Sequence, residues 1–230
     1  MNEFFMTSTF FALALSLIGY EMGQFLKKKT GFAIFNPLLI GIVVVIAVLL
    51  ILRIDYGTYE EGSAILSYML TPATVALAVP LYRQVNLLKK YGAAILLGIL
   101  SGVLTSLLTT LLMAVILRLS HVEYVTFLPQ SITTPIGMAM SEELGGLVTI
   151  TVATIVITGI VGNVMGEFVC KIFHIDEKIA VGLALGTSAH VLGTAKALEL
   201  GEIEGAMSSL SIVVSGILTV IGANLFAMFY

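Results

Sequence analysis

Apolar stretches of about 20 residues alternate along the whole chain with short polar segments. Because a helix needs about 20 predominantly apolar residues to cross a bilayer, we interpret seven stretches as full crossings. They are residues 4–26, 32–52, 62–82, 91–117, 144–173, 179–198 and 205–229. An eighth segment, residues 127–141, is short, polar and interrupted by Pro129 and Pro135. We therefore predict that it is re-entrant, entering the membrane and returning to the same side.

The composition supports one transmembrane domain over residues 1–230. Of the 230 residues, 58% are hydrophobic and 11% are charged, whereas soluble domains contain about 25% charged residues. A net charge of −3 gives no indication of nucleic-acid binding. Cys170 is the single cysteine, so an internal disulfide is excluded, and no motif indicates a metal site, a cofactor or an enzyme. The predicted fold class is an all-α integral membrane protein.

The basic residues indicate the orientation of the chain, because cytoplasmic loops are enriched in Lys and Arg. If residues 127–141 do not cross, eight of the eleven basic residues fall on one side. They are Lys27, Lys28, Lys29, Arg83, Lys89, Lys90, Lys171 and Lys178. We therefore predict a multi-pass protein of the inner (plasma) membrane with its N-terminus outside and its C-terminus in the cytoplasm.

Two short segments share the pattern Ser-Gly-x-Leu-Thr and indicate an internal repeat. They are GILSGVLTSLL at residues 98–108 and IVVSGILTVIG at residues 212–222. Each follows a span with a polar break, which we place at Pro72 in the first and at Gly186 in the second. The two inverted repeats would cover residues 32–117 and 128–229, after an extra first span. Inverted repeats with interrupted helices are typical of transporters that bind substrate near the bilayer midplane.

The span around His190 carries an unusual set of polar residues, in the segment GLALGTSAHVLGTAKALELGE. Ionisable side chains near the middle of a span usually face a cavity or a partner, and histidine titrates near neutral pH. His190 is therefore a candidate proton-coupling residue; the alternative is a neutral histidine hydrogen-bonded between helices. Candidate substrate-binding residues here are Thr187, Ser188, His190, Gly193, Thr194 and Lys196. Interhelical hydrogen bonds are the alternative for the hydroxyls, and interfacial snorkelling is the alternative for Lys196.

The re-entrant segment supplies the other half of the predicted site. Ser131, Thr133 and Thr134 precede Pro135, and proline is favoured in the first turn of a helix. Thr133 or Thr134 would then be the N-cap of a half-helix whose free N–H groups bind an anion. The alternative is that this tip is a structural plug. Pro135 joins Pro72 and Gly186 as a predicted helix-break residue.

These segments resemble the LrgB/CidB family of bacterial membrane proteins. The matching stretches are QSITTPIGMAMSEELGG at residues 130–146, TGIVGNVMG at 158–166, and the long segment 182–219 around His190. In the first half the match is carried by LTPATVALAVPLYRQ at residues 70–84. Members are named as antiholin-like modulators of murein hydrolase activity and autolysis that act with a holin-like partner of the LrgA/CidA type. The resemblance also implies transport, because a plant chloroplast relative is a glycolate/glycerate translocator and bacterial pairs are linked to pyruvate movement.

Of the antiholin-like and the transport functions, the residue pattern favours transport. We predict a proton-coupled carrier of small 2-hydroxy and 2-oxo monocarboxylates of the pyruvate, glycolate and glycerate type. It would work by alternating access at a midplane site, as a homodimer and without a cofactor. The alternative is the antiholin-like regulator with its holin-like membrane partner.

Overall fold

The computed structural model describes residues 9–31, 35–76 and 78–230, and every regular element in these residues is helical. The all-α prediction is thus confirmed for them. The first residues of the predicted spans 4–26 and 32–52 lie outside the described residues. The chain divides into two compact units, Met1–Ala76 and Leu77–Tyr230.

The described residues of the first unit form four helices: α1 Thr9–Thr30, α2 Pro37–Leu52, α3 Tyr56–Gly62 and α4 Ala64–Ala76. Asn36 begins α2 by accepting a hydrogen bond from the Leu38 backbone N–H at 2.8 Å, which satisfies an N–H group that has no partner inside the helix. The Ser16 and Tyr59 hydroxyls are hydrogen-bonded at 2.7 Å and tie α1 to α3.

The helix break predicted at Pro72 is not found there. Pro72 lies inside α4, which continues to Ala76. Proline is tolerated inside membrane helices because neighbouring helices and local adjustments satisfy the backbone groups that it frees. A proline in an apolar segment was therefore insufficient to locate a break.

The second unit contains seven helices in its described residues, followed by a short 3-10 turn, Ala227–Phe229. They are α5 Ala78–Arg83, α6 Val85–Leu117, α7 His121–Phe127, α8 Thr134–Glu143, α9 Val148–Ile172, α10 Lys178–Leu200 and α11 Glu202–Phe226. Three segments of the described chain are long and apolar enough to cross a membrane: Val85–Leu117, Val148–Ile172 and Glu202–Phe229. They correspond to the predicted spans 91–117, 144–173 and 205–229.

The core of this unit is built on one face of α6. Ile95, Ile99, Val103 and Leu107 are spaced four residues apart and are buried, as expected for one stripe of a helix. They belong to one apolar cluster with Tyr124 and other residues of α7 and α11.

The segment α7–turn–α8 is a helical hairpin, here called hairpin 1 (residues 121–143). The Thr151 hydroxyl on α9 contacts both of its legs, because it lies 3.0 Å from the Thr126 carbonyl and 2.7 Å from the Ser141 hydroxyl. Nearer the tip, a side chain at Gly137 would contact Pro129 at 3.4 Å. The legs therefore run antiparallel, which agrees with the re-entrant path predicted for residues 127–141.

Helix α10 is also a hairpin, here called hairpin 2 (residues 178–200). Its backbone is non-helical at Ala189 and at His190, where φ is 42° and ψ is −132°. Beyond this point the chain turns back, so that Gly193 packs directly on the carbonyl of Leu185. In a continuous helix, residues eight positions apart would be about 12 Å apart along the axis.

The contacts of hairpin 2 with α9 confirm that its two legs run in opposite directions. Leu185 of the first leg lies against Gly166. In the returning leg, the Asn163 side chain donates to the Leu192 carbonyl at 2.7 Å, and Lys196 lies 2.7 Å from Glu167. Each leg has about 11 residues and a length of about 16 Å, roughly half a bilayer core. The prediction that residues 179–198 form one full crossing is therefore wrong.

This reversal changes where the chain ends. The base of hairpin 1 and Tyr230 lie at one end of the unit, since the Tyr230 hydroxyl donates to the Leu119 carbonyl at 2.7 Å. Lys171, in the last turn of α9, and Lys178, the first residue of α10, lie at the opposite end. The predicted placement of the C-terminus on the same side as these lysines does not hold.

Candidate functional site

The tips of the two hairpins approach each other beside the middle of α6. From one end of the unit, hairpin 2 reaches α6 with Thr187, whose methyl would lie 2.8 Å from a Cβ at Gly102. From the other end, the Ser131 hydroxyl of hairpin 1 lies 3.1 Å from that of Ser106. Because Gly102 and Ser106 are four residues apart on one helix, the two tips are separated by about 6 Å along its axis.

A cavity of about 1090 Å³ opens at this meeting point. Its polar lining is dominated by hydroxyl groups. The hydroxyl-bearing serines and threonines are Ser101, Thr105, Ser106, Thr109, Ser131, Thr158, Thr187 and Ser188. Gln130 joins them at the tip of hairpin 1, and Tyr91 and Glu177 lie toward the end of the unit that carries Lys171. No lysine, arginine or histidine is among the described residues that line it.

Most of these hydroxyls already have partners in the protein. Those of Ser101, Thr105 and Ser188 donate to backbone carbonyls of their own helices at 2.7 to 2.8 Å. The Gln130 amide donates to the Thr110 hydroxyl at 3.0 Å and holds the tip of hairpin 1 on α6. Thr187 differs, because its buried hydroxyl has no hydrogen-bond partner among the described residues.

His190 forms the tip of hairpin 2 and does not line the cavity. Its side chain is 5% exposed, and Nε2 lies 3.0 Å from the Ile155 carbonyl on α9. A carbonyl only accepts hydrogen bonds, so this contact requires the proton on Nε2. A positive φ is strained for residues other than glycine, and this hydrogen bond fixes the strained tip against α9.

The charged residues of hairpin 2 form an ion-pair network at its base. The Lys196 ammonium lies 2.7 Å from Glu167 and 3.8 Å from Glu199, and Glu167 also pairs with Lys171 at 2.7 Å. Glu167 and Lys171 are four residues apart on α9, so the last contact is an i,i+4 pair along one helix face. The network joins the returning leg to α9, and Lys196 is absent from the residues that line the cavity.

Comparison with known proteins identifies the family. The model of the LrgB-like family matches residues 16–229. The chain belongs to the LrgB-like family. It is 38% identical over 215 residues to the Antiholin-like protein LrgB of Bacillus subtilis (strain 168), with 93% of each chain covered. Proteins of the same name from Bacillus mycoides (strain KBAB4) and Bacillus cereus (strain B4264) are 37% identical over 221 residues, with 96% of each chain covered. No solved structure matches the chain.

The structure brings only part of the predicted binding set of this LrgB-like chain to the cavity. Ser131, Thr187 and Ser188 line it. Thr133 is the N-cap of α8, as predicted, and Thr134 and Pro135 form its first turn. Pro135 therefore starts a helix within the hairpin.

The remaining members of the predicted set lie in the packing of hairpin 2. The Thr194 hydroxyl lies 2.7 Å from that of Ser208 on α11, Gly193 packs on Leu185, and Gly186 packs on the backbone of Ser208. Gly186 is in the helical part of the first leg, so the break falls three residues later, at Ala189 and His190.

The α6 face of the cavity was missed from the sequence. Ser101, Thr105, Ser106 and Thr109 are spaced so that they share one helix face. The Ser-Gly-x-Leu-Thr motif was interpreted only as a sign of a repeat, although a stripe of hydroxyls on a long apolar helix also signals a polar cavity. Among the described residues, no group of three or more His, Cys, Asp or Glu side chains could hold a metal ion.

Proposed function

We propose that this LrgB-like protein is a non-enzymatic membrane carrier of small 2-hydroxy and 2-oxo monocarboxylates, of the pyruvate, glycolate and glycerate type. The observation that carries the proposal is the meeting of two opposed hairpin tips halfway along α6, at a mostly apolar cavity whose polar groups are chiefly hydroxyls. Interrupted helices are tolerated at membrane depth where they line a cavity, and transporters place substrate between such broken helices. A lysis regulator that acts only by association needs no such cavity.

The spacing of the tips supports a small substrate. About 6 Å of α6 separates the contact points of the two tips, Gly102 and Ser106. A chain of two or three carbons fits between them, with hydrogen-bonding groups at both ends. The rest of the cavity, toward Tyr91 and Glu177, would be the route by which substrate enters.

The tip of hairpin 1 is the better place for the carboxylate. Helix α8 begins there at Thr134, and its N-cap Thr133 makes no side-chain hydrogen bond to the helix. The first N–H groups of a helix lack intrahelical partners and carry a partial positive charge. No basic side chain and none of residues 133–136 is among the described lining residues, so the Ser131 hydroxyl would contact the anion directly and the positive end of α8 would act on it from beside the cavity.

Charge distribution supports an orientation. Five basic residues lie at the end of the second unit toward which the cavity extends, past Tyr91 and Glu177: Arg83, Lys89, Lys90, Lys171 and Lys178. By the positive-inside rule this end would be cytoplasmic, so the cavity would face inward and the C-terminus would be outside. In the first unit, Lys27, Lys28 and Lys29 end α1, which would leave the N-terminus outside. We retain the plasma membrane, the homodimer and the single transmembrane domain as parts of the proposal, with six spans, because residues 179–198 no longer count as one. The inverted repeats are not retained, because α6 and α11, which carry the two copies of the motif, run in the same direction: Leu107 lies against Gly222, and both helices end near Tyr230.

Proton coupling through His190 is a further part of the proposal, and it requires the hydrogen bond to Ile155 to break during the cycle. In His190→Gln the side-chain amide can still donate to that carbonyl, but it cannot titrate. We expect the variant to fold and to retain uptake, while uptake loses its dependence on pH between about 5.5 and 7.5. The measurement is the initial rate of uptake against external pH in proteoliposomes. If the variant keeps the wild-type pH profile, His190 takes no part in proton coupling and only holds the tip of hairpin 2 against α9.

The name of the relatives favours a second candidate function. Proteins that match over nearly their whole length are called antiholin-like, and this supports a regulator of murein hydrolase activity and autolysis that binds a holin-like membrane partner. Such a regulator would keep its lysis phenotype when the cavity residues Ser131 and Thr187 are replaced. A carrier with metabolic effects on lysis would lose that phenotype together with transport.

Counterflow in proteoliposomes of the purified chain tests the proposed function. Vesicles loaded with pyruvate would receive labelled pyruvate, glycolate, glycerate or lactate, with a labelled amino acid as the control solute. We expect saturable exchange of the four small acids and none of the amino acid. A holin-like partner would be co-reconstituted if the chain alone gives no exchange. Absence of exchange in both preparations would contradict the carrier function and leave the regulator.

A further inference from the structure

Thr187 stands out in the cavity because its hydroxyl is buried and unsatisfied. The residue is 7% exposed, and Oγ1 has no hydrogen-bond partner among the described residues. A buried hydroxyl without a partner is destabilising by about 1–3 kcal/mol relative to one that is hydrogen-bonded. Thr187 lies in the wall of the cavity, although Oγ1 itself is buried, so a ligand there can supply the missing partner once the side chain rotates about its Cα–Cβ bond.

The surroundings of Thr187 suit an uncharged oxygen. Thr187 is near the C-terminal end of the first leg of hairpin 2, two residues before the break begins. A helix C-terminus carries a partial negative charge, which disfavours a carboxylate and favours a neutral hydroxyl or carbonyl. The opposite tip, at Ser131 and the start of α8, has the positive helix end. The two tips therefore differ in the part of a small acid that each accepts.

We infer that the Thr187 hydroxyl recognises the 2-oxygen of the substrate and thereby selects 2-hydroxy and 2-oxo acids over simple fatty acids. The inference rests on the proposed carrier function and assigns the specificity of that same site. A threonine hydroxyl can donate to a 2-oxo group and can accept from a 2-hydroxyl group. One residue can therefore serve both classes of acid.

The test compares lactate with propionate, which has the same three-carbon skeleton but no 2-oxygen. Apparent affinities are measured by inhibition of labelled lactate uptake into proteoliposomes of the full chain. We expect the wild type to prefer lactate. In Thr187→Val, which keeps the shape and removes the hydroxyl, we expect the affinity for lactate to fall about tenfold while that for propionate is unchanged. Thr187→Ser should retain the preference.

Thermal unfolding separates this role from a structural one. Because the Thr187 hydroxyl has no hydrogen-bond partner in the part of the chain that the structure describes, Thr187→Val should melt at or above the wild-type temperature. Thr194→Val is the matched control: its hydroxyl is bonded to Ser208, so the variant should melt at a lower temperature with an unchanged lactate-to-propionate ratio.

Three outcomes would overturn the inference. Folded Thr187→Val that keeps the wild-type preference for lactate would exclude the hydroxyl from selection. Thr187→Val that fails to fold would show that the hydroxyl has a structural partner. Wild-type protein that takes up no acid, with or without the holin-like partner, would overturn the inference together with the carrier function.

Discussion

Replacement of Gly193 by alanine is expected to destabilise the second unit by about 3 kcal/mol, the upper end of the usual range for overpacking. A Cβ at Gly193 would overlap the carbonyl of Leu185, and Ala189 lies on the same side. The obstacle is backbone, which cannot move aside as the end of a long side chain could. The two legs of hairpin 2 would have to separate, and their contacts with α9 and α11 would be lost. The measurement is the thermal unfolding of the purified variant in detergent, followed by circular dichroism and size-exclusion chromatography.

Gly92 provides the control for this prediction. It lies in α6, and a Cβ there would meet nothing within 4 Å. Alanine is favoured over glycine in a helix by about 1 kcal/mol, so Gly92→Ala should leave stability unchanged or raise it slightly. If Gly193→Ala melts at the same temperature as Gly92→Ala and the wild type, the close approach of the two legs is contradicted.

The helical class and three of the spans could be predicted from the sequence because hydrophobicity and length decide them. The path of hairpin 2 could not. Residues 179–198 have the length and apolar character of a crossing, and the reversal depends on tertiary contacts. Gly193 has to pack on Leu185, and the His190 ring has to reach the Ile155 carbonyl. Neither contact leaves a periodic signal in the sequence.

The candidate site shows the same limit at the level of single side chains. Polarity in an apolar segment singled out Ser131, Thr187 and Ser188, and these three residues line the cavity. It marked Thr194 and Lys196 in the same way. The Thr194 hydroxyl, however, is hydrogen-bonded to that of Ser208, and Lys196 forms an ion pair with Glu167. Composition identifies a polar group in the membrane, but the direction in which it points depends on the register between neighbouring helices.

Gly102→Ala is expected to reduce uptake of small acids by more than about tenfold. The added methyl would lie 2.8 Å from the Thr187 Cγ2, so Thr187 has to move or hairpin 2 has to shift away from α6. Either response changes the gap of about 6 Å between the tips, and misplacement by 1 Å can reduce the rate of a positioned reaction by about 100-fold. The measurement is initial uptake of labelled pyruvate in proteoliposomes with matched protein content.

A second substitution distinguishes this contact from general damage. Thr187→Ser removes Cγ2, the atom that the new methyl would meet, and keeps the hydroxyl. The double variant Gly102→Ala with Thr187→Ser should therefore recover most of the uptake lost in Gly102→Ala. Gly216, which follows Ser215 in the second copy of the motif, is the control, because a Cβ there would lie 3.4 Å from the Ile136 Cδ1. The flexible end of the Ile136 side chain can yield by a few tenths of an ångström, so Gly216→Ala should retain uptake. If the double variant stays as inactive as Gly102→Ala, the packing of Thr187 on α6 does not set the geometry of the site.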